Sequence, residues 1–161
     1  MKETLTLRRW GLAGILIAVS TVLGCTKPHD SGYVPGLGEL MAGQQVRHAK
    51  LWFAGENENW RLAAYEVDEL KEGFGDVVKL HPVLEDSHIP VSKLVPTIIE
   101  APLSEVGAAV EARSKIRFEA AFDKLTAACN QCHQAANFGF NVVKRPTSPP
   151  FSNQEFEVVK P

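Results

Sequence analysis

The order of apolar and polar positions divides residues 35–136 into four helical stretches. In each stretch apolar side chains recur every three or four residues, which places them on one face of a helix. We predict helices over about 35–54, 57–81, 91–112 and 115–136. The sequence therefore predicts an all-α fold for this part of the chain.

Residues with strong local preferences mark the ends of these helices. Gly55 is expected to stop the first helix, and either Asn57 or Asn59 can cap the second one. Pro102 should bend or divide the third helix, since a proline lacks the N–H that the helix needs. Ser114 can cap the fourth helix. The last helix should begin at once after that serine.

The N-terminus has the pattern of an export signal. A positively charged start, with Lys2, Arg8 and Arg9, precedes an almost continuous apolar run from Trp10 to Leu23. That run is shorter than the ~20 residues that a bilayer-spanning helix needs. We therefore predict that residues 1–24 are a signal peptide.

The signal ends in Val22-Leu23-Gly24-Cys25, which resembles the bacterial lipobox. In a lipobox a small residue precedes the cysteine that becomes the lipid-bearing N-terminus. We predict a lipid anchor on Cys25 and a polar tether over residues 25–34, the alternative being an ordinary signal peptide with a chance cysteine. Thr26 stands where an aspartate would resemble an inner-membrane retention signal, which favours the outer membrane.

The string Cys129-Asn130-Gln131-Cys132-His133 lies near the end of the fourth helix. Cys-x-x-Cys-His is the attachment signature of c-type haem. Two cysteines three residues apart share one helix face, so both sulfurs can reach the vinyl groups of one porphyrin. His133 is rotated by about 100° from Cys132 and can turn its imidazole toward the iron. We predict one covalent haem c.

Other uses of two such cysteines fit the sequence less well. A disulfide or a thioredoxin-like dithiol gains nothing from the following histidine and usually accompanies a βαβ pattern, which is missing from this sequence. A structural zinc site needs a second pair of ligands, and the sequence contains no second Cys-x-x-Cys and no His-x-x-x-His. If Cys25 carries lipid, all three cysteines have a role. Export also fits, because haem attachment of this type resembles a process carried out beyond the bacterial inner membrane, so we predict a periplasmic protein.

Four apolar-striped helices with Cys-x-x-Cys-His late in the last one resemble the class II cytochromes c, the group of cytochrome c′ and cytochrome c-556. The resemblance covers about residues 35–136. It implies an antiparallel four-helix bundle with covalent haem near the C-terminal end of the last helix, and it is compatible with a homodimer. By motif, Cys129 and Cys132 would form the thioethers and His133 would be the proximal iron ligand.

The residue on the other side of the iron stays open. When the family's Arg-x-x-x-Met pattern is aligned on Arg47, the position of its methionine is occupied by Leu51, which cannot bind iron. Arg47 is then a candidate partner for a haem propionate, or else a solvated surface arginine. His48 and Met41 share one face of the first helix, so either could be the distal ligand, and a five-coordinate iron is the third possibility. We place His81 two helix lengths from the haem, as a histidine favoured by a helix C-terminus.

Residues 137–161 form a tail in which Pro146, Pro149 and Pro150 rule out a helix. One interpretation is an extended strap that packs Phe138, Phe140 or Phe151 over the haem edge. The other is a surface segment laid along the bundle.

Charge adds little to this interpretation. The chain has 17 basic and 19 acidic residues, a net charge of −2, and lacks the basic footprint of a nucleic-acid-binding protein. Removal of residues 1–24 takes away three positive and one negative side chain, which leaves 14 against 18 and a net of −4. That mild acidity favours basic or neutral redox partners.

The predicted function is the transfer of single electrons by a membrane-tethered periplasmic cytochrome. The sequence contains no Ser/His/Asp arrangement, phosphate loop or second metal motif, so we expect no enzymatic activity. A gas-binding or sensing protein with an open distal side, of the kind that binds NO or CO, is the alternative. A third possibility is a subunit of a larger redox enzyme, with a partner that the sequence does not identify.

Overall fold

A computed structural model describes residues 32–85, 87–149 and 151–159 of the chain. The helices are α1 (Leu37–Glu56), α2 (Trp60–Leu80), α3 (Val91–Ile98), α4 (Glu100–Glu111) and α5 (Lys115–Ala135). Within these ranges β-structure is limited to one isolated bridge between Leu84 and Ile89, so the all-α prediction is confirmed there. None of the described helices is both long and apolar enough to cross a bilayer. The predicted signal peptide and Cys25 lie outside the described residues.

Helices α1 and α2 form an antiparallel pair joined by a short connection. Gln44 donates from Nε2 to the carbonyl of Leu70 at 2.9 Å, and Arg47, one turn later, donates to the carbonyl of Glu69 at 2.8 Å. Both polar side chains reach across at Gly73, where a Cβ atom would lie 2.3 Å from Arg47 Nη1. The glycine therefore permits a close approach of the two helices.

Helix α5 runs antiparallel to α1 and packs its aromatic first half against it. The ring centroids of Trp52 and Phe122 are 5.0 Å apart, and those of Phe118 and Phe122 are 5.9 Å apart. His48, one turn before Trp52 on α1, bonds to Thr126, one turn after Phe122 on α5, at 2.9 Å. These positions rise along α5 as they fall along α1. The largest fully buried side chains of the described residues are Phe118, Phe122, Leu51, Ile99, Leu125, Val77 and Val106.

Gly55 does not end the first helix, contrary to the prediction. It is a buried residue of α1, which continues to Glu56. A Cβ atom on Gly55 would lie 2.1 Å from Cε1 of Phe118, so the glycine makes room for the phenyl ring of α5. Asn59 caps α2, as one of the two predicted alternatives, and its side chain accepts from the backbone N–H of Leu62 at 3.3 Å.

The third predicted helix is divided, but three residues earlier than Pro102. The break lies at buried Ile99, between α3 and α4. Pro102 then occupies the third position of α4, where the N–H has no partner within the helix in any case. A proline inside α3, Pro96, further weakens that short segment because it also lacks an N–H.

Candidate functional site

The two cysteines of the motif lie on the core-facing side of the last turns of α5. Cys129 and Cys132 are free thiols, each partly buried and packed against the apolar core. Burial, with a smaller contribution from Cys132, raises the pKa of Cys129 from 9.0 to about 12. Burial also raises the pKa of Cys132. Thiols that stay protonated at neutral pH are poor redox nucleophiles, which disfavours a thioredoxin-like role.

The imidazole of His133 is held through one of its two nitrogens. Nδ1 lies 2.6 Å from the carbonyl oxygen of Asn141. A carbonyl can only accept, so Nδ1 carries the proton and donates. The neutral ring then keeps its lone pair on Nε2. This is the arrangement by which a metal-binding histidine is usually fixed in one tautomer.

The chain reverses its direction directly after His133. Asn137 adopts a left-handed backbone with a φ of 65° and donates to the carbonyl of Gln134 at 3.2 Å. Phe138 donates to the carbonyl of His133 at 2.7 Å. These two bonds form a Schellman ending, in which asparagine tolerates the left-handed conformation better than most residues. The following residues are thereby sent back along α5, which brings the Asn141 carbonyl to His133.

This returning segment is held by three side chains of α5 and α1, namely Asn130, Asp123 and Trp52. Asn130 donates from Nδ2 to the carbonyl of Val143 at 2.8 Å and accepts the Val143 N–H at 2.7 Å. Arg145 bonds to both carboxylate oxygens of Asp123, at 2.9 and 2.6 Å, and its guanidinium lies 4.2 Å from the ring centroid of Trp52. The sequence-based prediction did not include these contacts.

Among residues 32–85, 87–149 and 151–159, no three His, Cys, Asp or Glu side chains converge on one point as a metal-binding group. Haem attachment does not require such convergence. The sulfurs bond to the edge of the porphyrin, and the imidazole bonds to the iron at its centre. Two thiols on one face of α5 and an imidazole that bonds to the chain through Nδ1, and so can offer Nε2, supply the donor set that this group needs.

His48 is buried and already has a polar partner. It is 5% exposed, and its Nε2 lies 2.9 Å from the hydroxyl oxygen of Thr126. That hydroxyl donates to the carbonyl of Phe122 at 2.9 Å, so His48 Nε2 is the donor in its bond to Thr126. The ring also packs on Phe122, with centroids 4.4 Å apart. Burial lowers the pKa of His48 from 6.5 to about 4.

Helix geometry places Met41 nearer than His48 to the motif along the bundle axis. The pairing of His48 with Thr126, continued by two turns toward the start of α1, brings Met41 level with Cys132 and His133. Met41 is partly buried and packs against the core. Of the two predicted distal candidates, the methionine therefore has the closer position along the helix axis.

Arg47 points into the contact between α1 and α2. Besides its bond to the Glu69 carbonyl, it forms an ion pair with the Glu69 carboxylate at 3.0 Å and donates to Gln44 Oε1 at 3.2 Å. It also lines a cavity of about 360 Å³ together with Lys50 and Glu66. Arg47 is neither free in solvent nor bonded to the motif.

The predicted position of His81 is wrong. Its Nε2 lies 2.8 Å from the carbonyl oxygen of Pro35, just before the start of α1. Because α1 and α2 are antiparallel, the end of α2 and the start of α1 meet at one end of the bundle. Helix α5 finishes at that same end, so His81 lies at the end that carries His133. The prediction of a histidine at a helix C-terminus is confirmed, since His81 is the C-cap of α2.

The aromatic residues of the tail differ in burial. Phe138 and Phe140 form an edge-to-face pair with centroids 6.0 Å apart, and Phe140 is 83% exposed. Phe151 is partly buried, with Lys50 Nζ 5.3 Å from its ring centroid. Phe156, which the sequence did not single out, is buried beside Phe53 at 5.6 Å. The later part of the tail therefore lies along α1.

Comparison of the chain with protein-family models, with curated proteins and with solved structures gives no match. The resemblance to class II cytochromes c therefore stays a prediction that depends on the motif and on the helical pattern.

Proposed function

We propose that this protein is a c-type cytochrome that carries single electrons, with one haem attached through Cys129 and Cys132 and with His133 as the proximal ligand. The observation that carries the proposal is the bond from His133 Nδ1 to the Asn141 carbonyl, since it leaves Nε2 of the motif histidine available as a neutral ligand. We further propose a periplasmic location, with a lipid anchor on Cys25.

The residues of the chain have separate tasks in this proposal. Bound haem supplies an iron that alternates between the ferrous and ferric states. Cys129 and Cys132 would attach the macrocycle edge, since both residues lie on the packed face of α5. His133 supplies a donor whose direction is fixed by Asn141. A ligand that is already fixed need not rearrange when the charge on the iron changes, which favours rapid transfer.

The first test is attachment itself. The full chain would be expressed in a bacterium that attaches c-type haem, and the mature protein would be examined by intact-mass spectrometry and by its optical spectrum. We expect the added mass of one haem in the wild type and none in the double variant Cys129→Ser/Cys132→Ser. Cys25→Ser should keep the haem and lose the lipid. A mature wild-type chain without added haem would overturn the proposal.

A gas-binding function is the second candidate, and the state of His48 favours it. Because His48 donates its Nε2 proton to Thr126, that nitrogen offers no lone pair to iron. The lone pair of His48 is then on Nδ1, in a ring that is buried against Phe122 with centroids 4.4 Å apart, so we take Met41 or no protein ligand as the distal arrangements. An iron without a sixth protein ligand can bind NO or CO.

The ferrous spectrum with and without CO separates these two functions. A low-spin six-coordinate form that Met41→Leu converts to a CO-binding form supports electron transfer with methionine ligation. A high-spin ferrous wild type that binds CO supports the gas-binding function. His48→Gln serves as the matched control on the same helix, and it should leave the coordination unchanged because glutamine can keep a bond to Thr126.

A further inference from the structure

We propose that Asn130, the first variable residue of Cys-x-x-Cys-His, is a positioning residue that holds the Asn141 carbonyl on His133 and so sets the orientation and donor strength of the iron ligand. The inference rests on the proposed function. It concerns a side chain inside the motif whose identity the motif leaves free.

The carboxamide of Asn130 matches the backbone of one residue in both directions. Its Nδ2 donates to the Val143 carbonyl at 2.8 Å, and its Oδ1 accepts the Val143 N–H at 2.7 Å. A backbone carbonyl can only accept and a backbone N–H can only donate, so the two partners determine the orientation of the amide. The Asn130 side chain therefore makes the two hydrogen bonds to Val143 that the backbone of a neighbouring β-strand would make.

We call the two bonds between Asn130 and Val143 the clamp. Val143 is two residues after Asn141, whose carbonyl bonds to His133. The carbonyl of Asn141 accepts from His133 Nδ1 at 2.6 Å, and Asn141 itself donates to the carbonyl of Phe138 at 2.8 Å. The segment from 138 to 143 is thus fixed at its start by the end of α5 and at its finish by Asn130. Without the second fixed point, the next contact that holds the segment is that of Arg145 with Asp123, four residues after Asn141, so the Asn141 carbonyl can move away from the ring.

The bond to a carbonyl has a chemical effect as well as a geometric one. A histidine that donates from one nitrogen becomes a stronger donor through the other. A stronger nitrogen donor stabilises ferric iron more than ferrous iron, because the ferric ion carries the higher charge. Loss of the clamp should therefore raise the reduction potential. About a tenfold change in the relative affinity for the two oxidation states corresponds to about 59 mV in a one-electron couple.

The test compares Asn130→Ala with Gln131→Ala, a change at the exposed neighbouring position of the same helix. In the haem-loaded full chain we expect Asn130→Ala to raise the reduction potential by about 59 mV, the equivalent of that tenfold change. Gln131→Ala should leave the potential unchanged. Equal potentials in the two variants would overturn the proposal.

Two further measurements use the full chain before haem is attached, so they do not depend on the proposed function. Amide hydrogen exchange should show the Val143 N–H exchanging about tenfold faster in Asn130→Ala, as expected from the loss of one hydrogen bond. Nitrogen NMR should show the proton of His133 on Nδ1 in the wild type and shared between both nitrogens in the variant. An unchanged Val143 amide and an unchanged tautomer would both contradict the proposal.

A second variant covers the case in which Asn130→Ala fails to fold. Asn130→Asp keeps the acceptor for the Val143 N–H but places a carboxylate against the Val143 carbonyl. In the exchange and tautomer measurements we expect smaller changes of the same sign, with the helical circular dichroism of the wild type. The reduction potential is not compared for this variant, because its added negative charge by itself lowers the potential of a nearby iron. If no haem attaches to the wild type, the proposed function fails, and the exchange and tautomer measurements still decide whether Asn130 positions His133.

Discussion

The two halves of α5 are built in opposite ways. The first half contributes buried aromatic rings, and Phe118 and Phe122 pack with Trp52 of α1 with no exposed surface of their own. The second half carries the motif, where polar groups such as Asn130 and His133 bond to a returning backbone segment. The first half should therefore determine global stability, and the second should determine local order around the reactive residues.

Removal of a ring from the first half should have the largest effect. Phe118→Ala should lower the free energy of unfolding by about 3–5 kcal/mol, because it deletes a fully buried ring and leaves a cavity. Urea denaturation followed by circular dichroism measures this loss. Phe140→Ala, at a ring that is 83% exposed, is the control and should change the free energy by less than about 0.5 kcal/mol. Equal losses in the two variants would contradict the comparison.

Acid should lower stability through His48, which bonds to Thr126 where the two halves of α5 meet. Its folded pKa of about 4 lies below the ordinary value of 6.5, so the unfolded chain binds the proton more readily. The contribution of the buried neutral imidazole to the free energy of unfolding is therefore complete above pH 6.5. As the pH falls toward 4, the unfolded chain takes up the proton and up to about 3 kcal/mol of that contribution is lost.

Urea unfolding at a series of pH values measures this loss. In His48→Gln the part of the pH dependence between 6.5 and 4 should disappear. In His88→Gln, at an exposed loop position, it should remain. An identical pH dependence in wild type and His48→Gln would show that burial of the imidazole is not its source.

A methyl group added at Gly55 tests how closely the first half of α5 approaches α1. Gly55→Ala should cost about 1–3 kcal/mol, because the new Cβ would lie 2.1 Å from the Phe118 ring. Gly43→Ala on the same helix meets no atom within 4 Å and should instead stabilise the helix by up to about 1 kcal/mol. The melting temperatures of the two variants should shift in opposite directions. A rise of the melting temperature in both variants would indicate that the contact between Gly55 and the Phe118 ring is loose.

The smallest global effect is expected where the tail meets the second half. Arg145→Gln removes an exposed ion pair with Asp123 and a contact with Trp52, so global stability should change by about 1 kcal/mol or less. Amide exchange of Val143 should nevertheless become faster. Lys144→Gln, at the exposed neighbour, should change neither quantity. A global loss as large as that of Phe118→Ala would remove the distinction between the two halves.

The predictions from sequence succeed where a short-range pattern decides the structure. The apolar repeats locate α1, α2 and α5 to within a few residues, because burial of one helix face has a regular period. Gly55 misleads for a physical reason, since its role is to admit a ring from a helix that is distant in sequence. The break at Ile99 likewise depends on packing in addition to the nearby prolines.

The candidate site shows the same division. The motif residues follow from their spacing, whereas the partner of His133 is a backbone carbonyl, which has no sequence signature. Asn130 and Arg145 look like ordinary polar residues until the tail is seen to return along α5. The misplaced His81 reflects an error of topology, because antiparallel helices bring the end of one beside the start of the other.

Asn59 joins the start of α2 to the last part of the described chain. It caps α2 and also donates to the carbonyl of Phe156, 97 residues further on. Phe156 follows all five helices in the chain, so this contact can close only after they have been synthesised. The start of α2, which is made early, therefore waits for a partner that becomes available only after the rest of the bundle.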